Sequence, residues 1–358
     1  MSFTTVAGAD APALELLRWL DGAIDARWSG ARAGRVAMLK GDASNRRFWR
    51  IQMALRPNGA PASAIAIDLG PDDLPAYVRT LNLLPEPPTE PPFLNVQRFL
   101  KSIGSAVPEI YAAAPQHRML LVEDVGETSL FDAALERIDK PAALYRGAAD
   151  ELLLIHVEGT RRLDSRCIAA SIAYDERLFR WEMDQFLDAG SQWLGTGADL
   201  RGLAPELDDL AARLGRLPRV LSHRDYHGHN LFVQNGRVRV IDFQDALLAP
   251  AAQDLAVLLT TRDTDRVIDP AAEDRLLDYY IAGLSRREAP SPAAGEFRES
   301  YRLCVLQHAL KVIGRFSYFE SQGKTGYAAF IPHAAGQARR MLEQHREYPR
   351  LRSAFGVS

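Results

Sequence analysis

Polar side chains of the kinds that carry chemistry are densest in residues 222–230, and a second polar group follows at residues 242–245. Asn230 and Asp242 offer an amide oxygen and a carboxylate, which suit Mg²⁺, an ion that also keeps water and phosphate oxygens as ligands. Asp225 adds a carboxylate that can accept the proton of a substrate hydroxyl. Phosphoryl transfer requires a base and two metal ligands of these types, and we predict those three roles here.

The dipeptide Asn235-Gly236 brings the two polar groups together. Strand-like runs flank it on both sides. A two-residue hairpin turn needs positive φ at both of its positions, and asparagine and glycine adopt positive φ readily, so this dipeptide favours such a turn. Such a turn places Asn230 opposite Ile241, with cross-strand neighbours roughly 5 Å apart. We therefore expect Asn230 and Asp242 at the same open end of the hairpin, with Asp225 on the loop that leads into it.

The same segment also contains His223, His227 and His229, which suggest an alternative. Alternating residues of a strand share a face, so this spacing resembles a zinc or iron ligand set and would suit a metallohydrolase. Gly228 and the hairpin favour a loop instead of a strand. In that case we expect His223 to brace carbonyl groups of the loop and His227 to be exposed.

Length and composition limit the class of protein. A chain of 358 residues exceeds what one hydrophobic core usually supports, so two lobes are expected. Hydrophobic residues at 47% and charged residues at 25% exclude a mostly disordered chain. A formal net charge of −3 provides no basic field for nucleic acid.

Without a long apolar run or a secretion signal, we expect a cytoplasmic protein with no membrane partner. The cysteines, Cys167 and Cys304, are expected to be buried and unpaired.

The distribution of secondary-structure signals predicts an α+β fold with a small strand-rich N-lobe and a larger helical C-lobe. We place the N-lobe at residues 1–122, a hinge at 123–127 and the C-lobe at 128–358. A proline-rich stretch, residues 85–92, is expected to be an extended surface loop, because proline lacks the backbone donor that a sheet or helix needs. Helices are predicted at residues 93–103, 145–156, 175–187 and 302–316.

The segment His223-Arg224-Asp225 through Asn230, followed by Ile241-Asp242, resembles the catalytic and metal-binding loops of the aminoglycoside phosphotransferase superfamily, which has a protein-kinase-like fold. Four segments in the same order look like the bacterial N-acetylmuramate/N-acetylglucosamine anomeric kinases: 41–48, 120–126, 241–246 and 310–314. This resemblance implies ATP-dependent phosphorylation of the anomeric hydroxyl of an N-acetylated amino sugar, giving a sugar 1-phosphate for cell-wall recycling. Another small-alcohol kinase, of the aminoglycoside or choline type, and a catalytically inactive nucleotide-binding protein stay open as alternatives.

The resemblance also implies nucleotide contacts, with ATP and Mg²⁺ as cofactors and a small sugar as the acceptor of a monomeric enzyme. Glu123 and Val125 would belong to the hinge whose backbone meets adenine. Ser44, Asn45 and Arg47 would lie in a turn that covers the nucleotide phosphates.

The chain departs from such folds in two respects. They usually carry a strand lysine that pairs with the nucleotide phosphates, but the expected strand, residues 64–68, has none. Arg46 or Arg47 could supply this charge, with Lys40 and Lys101 as weaker candidates. A proline-rich insertion also follows the strand, and it could reshape the edge of the cleft.

The acceptor side of the predicted site draws on residues near the metal aspartate. Gln244 and Asp245 follow it directly, and we expect each to hydrogen-bond sugar hydroxyls. His229 is a further candidate substrate contact. Asp254 is expected to act structurally, by bonding the catalytic loop or capping a helix.

A polar stripe of His308, Lys311 and Arg315 has helical spacing, and we expect it to face solvent. The alternative is a substrate contact in which Lys311 binds the lactyl carboxylate of N-acetylmuramate. Cationic acceptors would need an acidic pocket, so this stripe argues mildly against them.

Overall fold

The computed structural model describes these parts of the chain: residues 4–5, 14–39, 46–57, 59–70, 74–84, 86–136, 141–190, 194, 201–289 and 292–358. Its N-terminal part is built on a six-stranded sheet with the strand order β1-β2-β3-β4-β6-β5. Strand β1 runs parallel to β2, and the other neighbours are antiparallel. The strands are β1 Thr4–Thr5, β2 Arg32–Met38, β3 Arg47–Leu55, β4 Ser63–Asp68, β5 Ile110–Ala114 and β6 Met119–Glu123.

Helix α1, Leu14–Arg27, covers one face of this sheet. Its apolar side chains Leu16, Leu20 and Ile24 repeat every four residues and are buried against alternate residues of β3, among them Trp49. This helix was not predicted from the sequence, although its four-residue spacing of apolar side chains is typical of a helix. The alternation along β3 directs its other residues toward the opposite face of the sheet.

The rest of the chain is mainly helical, as expected, and the fold is an α+β fold with a strand-rich N-terminal part. Helices α2 and α3 follow β4 and are Ala76–Thr80 and Pro92–Ser102. The remaining helices are α4 Leu130–Glu136, α5 Pro141–Leu154, α6 Thr160–Arg162, α7 Glu176–Ala189, α8 Ala204–Gly215, α9 Ala251–Thr260, α10 Pro270–Arg286, α11 Ala294–Ser321, α12 Ile331–Leu342 and α13 Pro349–Ala354. The four predicted helices are confirmed. The lobe boundaries proposed at residues 122 and 128 stay a prediction.

Two small antiparallel sheets interrupt the helices, and their strands are β7 Arg219–Ser222, β8 Leu231–Gln234, β9 Arg237–Val240 and β10 Leu247–Pro250. Strand β7 pairs with β10, and β8 pairs with β9. The hairpin of β8 and β9 has the predicted register, in which Gln234 is paired with Arg237. The Ile241 amide also donates to the Asn230 carbonyl at 3.1 Å. The predicted convergence of residues 230 and 242 therefore follows from a confirmed turn.

A large apolar core joins the C-terminal helices to α3 and to the second face of the N-terminal sheet. Phe93 of α3 packs on Phe243, with ring centroids 4.9 Å apart, directly beside the segment that carries Asp242. Residues 86–91 of the proline-rich stretch form a loop, as expected, and Pro92 begins α3. The insertion also contains α2, whose Tyr77 and Val78 are buried in this core. Both cysteines are buried and free, as expected. In the described parts of the chain no helix is long and apolar enough to cross a membrane.

Gly314 allows the backbones of α7 and α11 to come into contact, because a Cβ atom there would overlap main-chain atoms of Gln185 and Phe186. We expect Gly314→Ala to lower the free energy of unfolding by about 1–3 kcal/mol, because main-chain atoms cannot rotate away. Gly295→Ala on the same helix is the matched control, since a Cβ there meets nothing within 4 Å. Urea denaturation would measure both variants, and equal midpoints would contradict the role of this helix contact.

Candidate active site

The loop after β7 is held in place by a buried carboxylate of α9. Asp254 accepts hydrogen bonds from the backbone amides of His223 at 2.7 Å and Arg224 at 2.8 Å. His156 Nε2 lies 3.0 Å from the same carboxylate. Burial opposes ionisation of Asp254, but these hydrogen bonds outweigh it and hold its pKa below the ordinary value. The structural role predicted for Asp254 is confirmed.

Two residues of the site have left-handed backbone conformations that are costly for residues other than glycine. Arg224 has φ 78° and Asp242 has φ 62°. His223 Nε2 lies 2.9 Å from the Ile241 carbonyl and links the two segments, which confirms the predicted bracing role of this histidine. Backbone strain of this kind persists only where the surrounding structure enforces it, and it is common at functional sites.

The predicted base and metal ligands lie together at the open end of the hairpin. Asn230 Nδ2 donates to the Asp225 carbonyl at 3.0 Å and lies 3.4 Å from Asp242 Oδ2. Because its amide nitrogen is used in this way, the amide oxygen of Asn230 is the atom left for a cation. An amide oxygen beside a carboxylate is a donor set that fits Mg²⁺.

A charge network surrounds the Asp225 carboxylate. Arg224 Nη1 lies 3.7 Å from it and Lys311 Nζ lies 4.0 Å from it. Both cations also contact Glu182 of α7, at 3.0 and 3.2 Å, and Glu182 is 1% exposed. Burial would raise the pKa of the Asp225 carboxyl, but the charges of Arg224 and then Lys311 outweigh it and hold that pKa well below its usual range. Asp225 is therefore ionised at every physiological pH.

The insertion after β4 contributes directly to this network. The guanidinium carbon of Arg224 lies 4.0 Å from the centroid of the Tyr77 ring, within the range of a cation–π interaction. Arg224 Nη1 is also 3.7 Å from Asp245 Oδ2. Burial raises the pKa of Asp245 to about 6, against the opposing charge of Arg224 and with a further contribution from Asp242.

A cavity of about 800 Å³ contains these residues and extends to the segment predicted as the hinge. Glu123 and Val125 both line it, together with Asp225 and Asp242. We call this cavity the cleft. The carboxylate of Glu123 is held by Arg239 at 2.6 and 2.8 Å. The structure therefore brings the proposed hinge, base and metal ligands to one space.

Strand β3 supplies the cationic side of the cleft. Arg46 precedes this strand, lines the cleft, and contacts Asp242 at 2.9 Å. Arg50 lies on the same face of β3 and contacts Asp124 at 2.7 Å. Arg47 has the opposite orientation, lies over the Trp49 ring and pairs with Asp68 at 2.5 Å, so the structure does not place it in the cleft.

The other nucleotide candidates are not among the cleft residues that the structure describes. Ser44 and Asn45 fall outside the described residues, as does Lys40. Lys101 is exposed and pairs with Glu109 at 2.5 Å. Of the four cations proposed to replace the strand lysine, Arg46 is the one that the structure places among the cleft residues.

The predicted acceptor contacts Gln244 and His229 both line the cleft. Gln244 Nε2 donates to Asp242 at 3.1 Å, while its buried Oε1 has no hydrogen-bond partner in the described part of the chain. His229 packs on Phe131 with ring centroids 4.7 Å apart, and its Nε2 lies 3.4 Å from Asp263. An unpartnered buried acceptor such as Gln244 Oε1 suits a ligand hydroxyl, because leaving it unpaired is unfavourable.

The prediction that the polar stripe of α11 faces solvent was wrong. His308, Lys311 and Arg315 all line the cleft, and His308 is 6% exposed. Burial, and then the charge of Lys311, lower the pKa of His308 to about 3, so this imidazole is neutral. Thr261 Oγ1 lies 2.6 Å from its Nε2. The stripe faces inward because α11 lies against α7 and α9 instead of at the surface.

The three histidines of the catalytic loop do not form a metal-binding set. Among the described residues, the group of histidine and acidic side chains whose ligand atoms lie within 4.8 Å of one another is Glu299, His345 and Glu347, remote from the cleft. The expectation that His227 is exposed was also wrong. It lines the cleft, and burial, followed by the charge of Arg262, lowers its pKa well below the ordinary value.

The sequence analysis missed Glu182, although a sequence signal existed. It lies on α7 between Phe179, Met183 and Phe186, on the face that packs into the core. A carboxylate among apolar residues at helical spacing requires a buried partner. Tyr77 gave no comparable signal, because it belongs to a five-residue helix within the insertion.

Comparisons with known proteins agree with this geometry. Residues 36–293 match the phosphotransferase enzyme family. An N-acetylmuramate/N-acetylglucosamine kinase of Caulobacter vibrioides is 30% identical over 253 residues, 67% of each chain, and one of Pseudomonas aeruginosa is 27% identical over 90% of each. A crystal structure of an ADP-bound aminoglycoside phosphotransferase, 13% identical, aligns over 92% of this chain and 97% of its own with a TM-score of 0.53, so it shares the two-lobed kinase-like fold. The chain is a member of the phosphotransferase enzyme family.

Proposed function

We propose that this protein is an ATP- and Mg²⁺-dependent sugar kinase that phosphorylates the anomeric hydroxyl of N-acetylmuramate and N-acetylglucosamine. The convergence of Asp225, Asn230 and Asp242 at one end of the cleft is the observation that carries this proposal. The sugar is suggested by the names of the two bacterial relatives. A kinase of this kind would act in the cytoplasm, where it would return cell-wall sugars to metabolism as 1-phosphates.

Asp225 is the proposed base of the reaction. Its carboxylate is ionised because Arg224 and Lys311 hold its pKa low, so it can orient a sugar hydroxyl and take its proton as the phosphoryl group is transferred. A carboxylate of low pKa is a weak base. It is best matched to the anomeric hydroxyl, the most acidic hydroxyl of the sugar, because the ring oxygen withdraws charge from C1.

The nucleotide is proposed to lie between the proposed metal ligands, Arg46 and the segment of residues 123–125. Asn230 and Asp242 would hold Mg²⁺, which would neutralise charge on the transferred phosphoryl group. Arg46 is the proposed replacement for the absent strand lysine, because among the proposed cations that the structure describes it is the one beside the metal aspartate. Glu123 and Val125 would flank adenine, and Ser44 and Asn45 stay predicted phosphate contacts.

The acceptor is proposed to lie between the catalytic loop and α11. His229, Gln244, Asp245 and Lys311 surround this end of the cleft and are the proposed sugar contacts. Aminoglycosides and choline are cationic, and such acceptors would meet Arg315 here, a cation with no carboxylate at ion-pair distance among the described residues. The charge of the cleft therefore favours a neutral or anionic sugar over the aminoglycoside or choline alternative.

We expect Asp225→Asn to fold and bind ATP normally but to lower turnover by roughly 10²–10⁴-fold, the usual contribution of a positioned base. Asp242→Asn should instead weaken Mg²⁺-dependent nucleotide binding as well. Coupled ADP-release kinetics and nucleotide titration would separate the two effects. Asp278→Asn, at an exposed position outside the cleft, is the control. Near-normal turnover of Asp225→Asn would rule out this residue as the base.

Asp245 should make folding stability depend on pH. The pKa of Asp245 is about 6 in the folded chain, above the ordinary value of 3.8. The contribution of this side chain to the free energy of unfolding is therefore complete below pH 3.8 and is lost as the pH rises through 6. Asp245→Asn removes this loss and should raise the free energy of unfolding at about pH 7.5 by about 1–3 kcal/mol, with little change near pH 4. Urea unfolding at about pH 7.5 and near pH 4 measures the free energy of unfolding of this variant. If Asp245 also contacts the sugar, the variant should have a higher KM for the sugar. Equal effects at both pH values would contradict the assigned ionisation.

The position of the phosphate is the direct test of the proposed function. The product from N-acetylglucosamine should show a phosphorus signal coupled to the anomeric proton, and it should hydrolyse in acid much faster than a 6-phosphate. Methyl glycosides and 1-deoxy sugars lack the reacting oxygen and should accept no phosphate. Phosphate on C6, or turnover of the methyl glycoside, would leave the kinase assignment intact and exclude the anomeric one.

A further inference from the structure

Among the described cations that line the cleft, Arg224, Lys311 and Arg315 lie near the catalytic loop and α11, and they differ in how their charges are balanced. Arg224 contacts Glu182, Asp225 and Asp245. Lys311 contacts Glu182 at 3.2 Å and Asp225 at 4.0 Å. Both charges are thus offset by carboxylates of the protein itself, and neither requires an anion from a ligand.

Arg315 is the exception. Its Nη1 donates to the neutral amide oxygen of Gln185 at 3.4 Å, and its guanidinium carbon lies 4.6 Å from the Phe319 ring centroid. Within the described ranges of the chain, no carboxylate lies at ion-pair distance from it. Burial, and then the charge of Arg224, lower the pKa of Arg315. A half-buried cation without a counterion is unfavourable, and it suits a ligand that brings one.

We infer that Arg315 is the residue that binds the carboxylate of an acidic acceptor, the lactyl group of an N-acetylmuramate-type sugar. A guanidinium can hold a carboxylate through two parallel hydrogen bonds, a geometry that the ammonium of Lys311 cannot offer. This inference rests on the proposed sugar kinase function and names the group that distinguishes its two acceptors.

The arrangement along α11 fits such a ligand. Lys311 lies beside the proposed base, and Arg315 follows one turn later on the same face, about 6 Å along the helix axis. A sugar with its anomeric hydroxyl at Asp225 would direct substituents on the far side of its ring toward Arg315. The lactyl carboxylate is such a substituent, because it is attached through an ether oxygen at C3.

Lys311 is a weaker candidate for this contact. A Lys311 side chain that turned toward the ligand would leave Glu182, a buried carboxylate, with one positive partner fewer. Substitution of Lys311 is therefore expected to affect both sugars, through Asp225. Substitution of Arg315 should affect only the sugar that carries the carboxylate.

The test compares Arg315→Gln with the unmodified chain on three acceptors: N-acetylmuramate, its methyl ester and N-acetylglucosamine. Loss of a charged hydrogen bond predicts a roughly ten- to hundred-fold lower kcat/KM for N-acetylmuramate. The methyl ester and N-acetylglucosamine should change by less than about two-fold, since neither carries the charge. Arg302→Gln is the matched control, because Arg302 lies on the same helix, outside the cleft, and pairs with Glu299 at 3.7 Å.

Equal losses on all three acceptors, or no loss on N-acetylmuramate, would overturn the inference and leave the sugar kinase function standing. If the unmodified chain phosphorylates neither sugar, the proposed function fails and the inference fails with it. Arg315→Lys guards against a folding defect in the glutamine variant. It keeps the charge and should recover part of the activity on N-acetylmuramate, and failure to recover any in a folded protein would also count against the carboxylate contact.

Discussion

The hydrogen bonds from two consecutive loop amides to Asp254 are the constraint on which the rest of the site depends. They hold Arg224 in a left-handed conformation that would otherwise be unfavourable, and this conformation directs its guanidinium toward Glu182 and Tyr77. Asp225 follows immediately, so the same two bonds determine where the carboxylate of the proposed base lies. Asp254 is completely buried, which makes these bonds strong and their loss costly.

The charges of the site form a graded series along the cleft. Near the catalytic loop, Arg224 and Lys311 are balanced by carboxylates, and their charges keep Asp225 ionised. Further along α11 the balance ends at Arg315. Local neutrality beside the proposed base, combined with an excess positive charge one helical turn away, would let the same base serve acceptors that differ in charge.

The residues that were predictable from the sequence are those that depend on local geometry. Asn235-Gly236 determined the hairpin register and hence the approach of Asn230 to Asp242. Contacts made through tertiary packing were not predictable in this way: whether α11 directs Lys311 to solvent or to the cleft depends on α7, which is more than a hundred residues away in sequence. Arg46 and Arg47 illustrate the same limit. Strand alternation separates them onto opposite faces of the sheet, but which face is turned toward the cleft is known only once α1 is placed on the other face.

The contact at Gly314 has a consequence for how this enzyme can diverge. Where two helix backbones touch, the spacing between α7 and α11 is set by main-chain atoms, so core substitutions that leave Gly314 in place are expected to change this spacing little. A descendant with a new acceptor must instead change side chains that line a space of constant width. Positions such as 308 and 315 are open to such change, because neither supports the catalytic loop, and acceptor range can therefore evolve while the transfer chemistry is conserved.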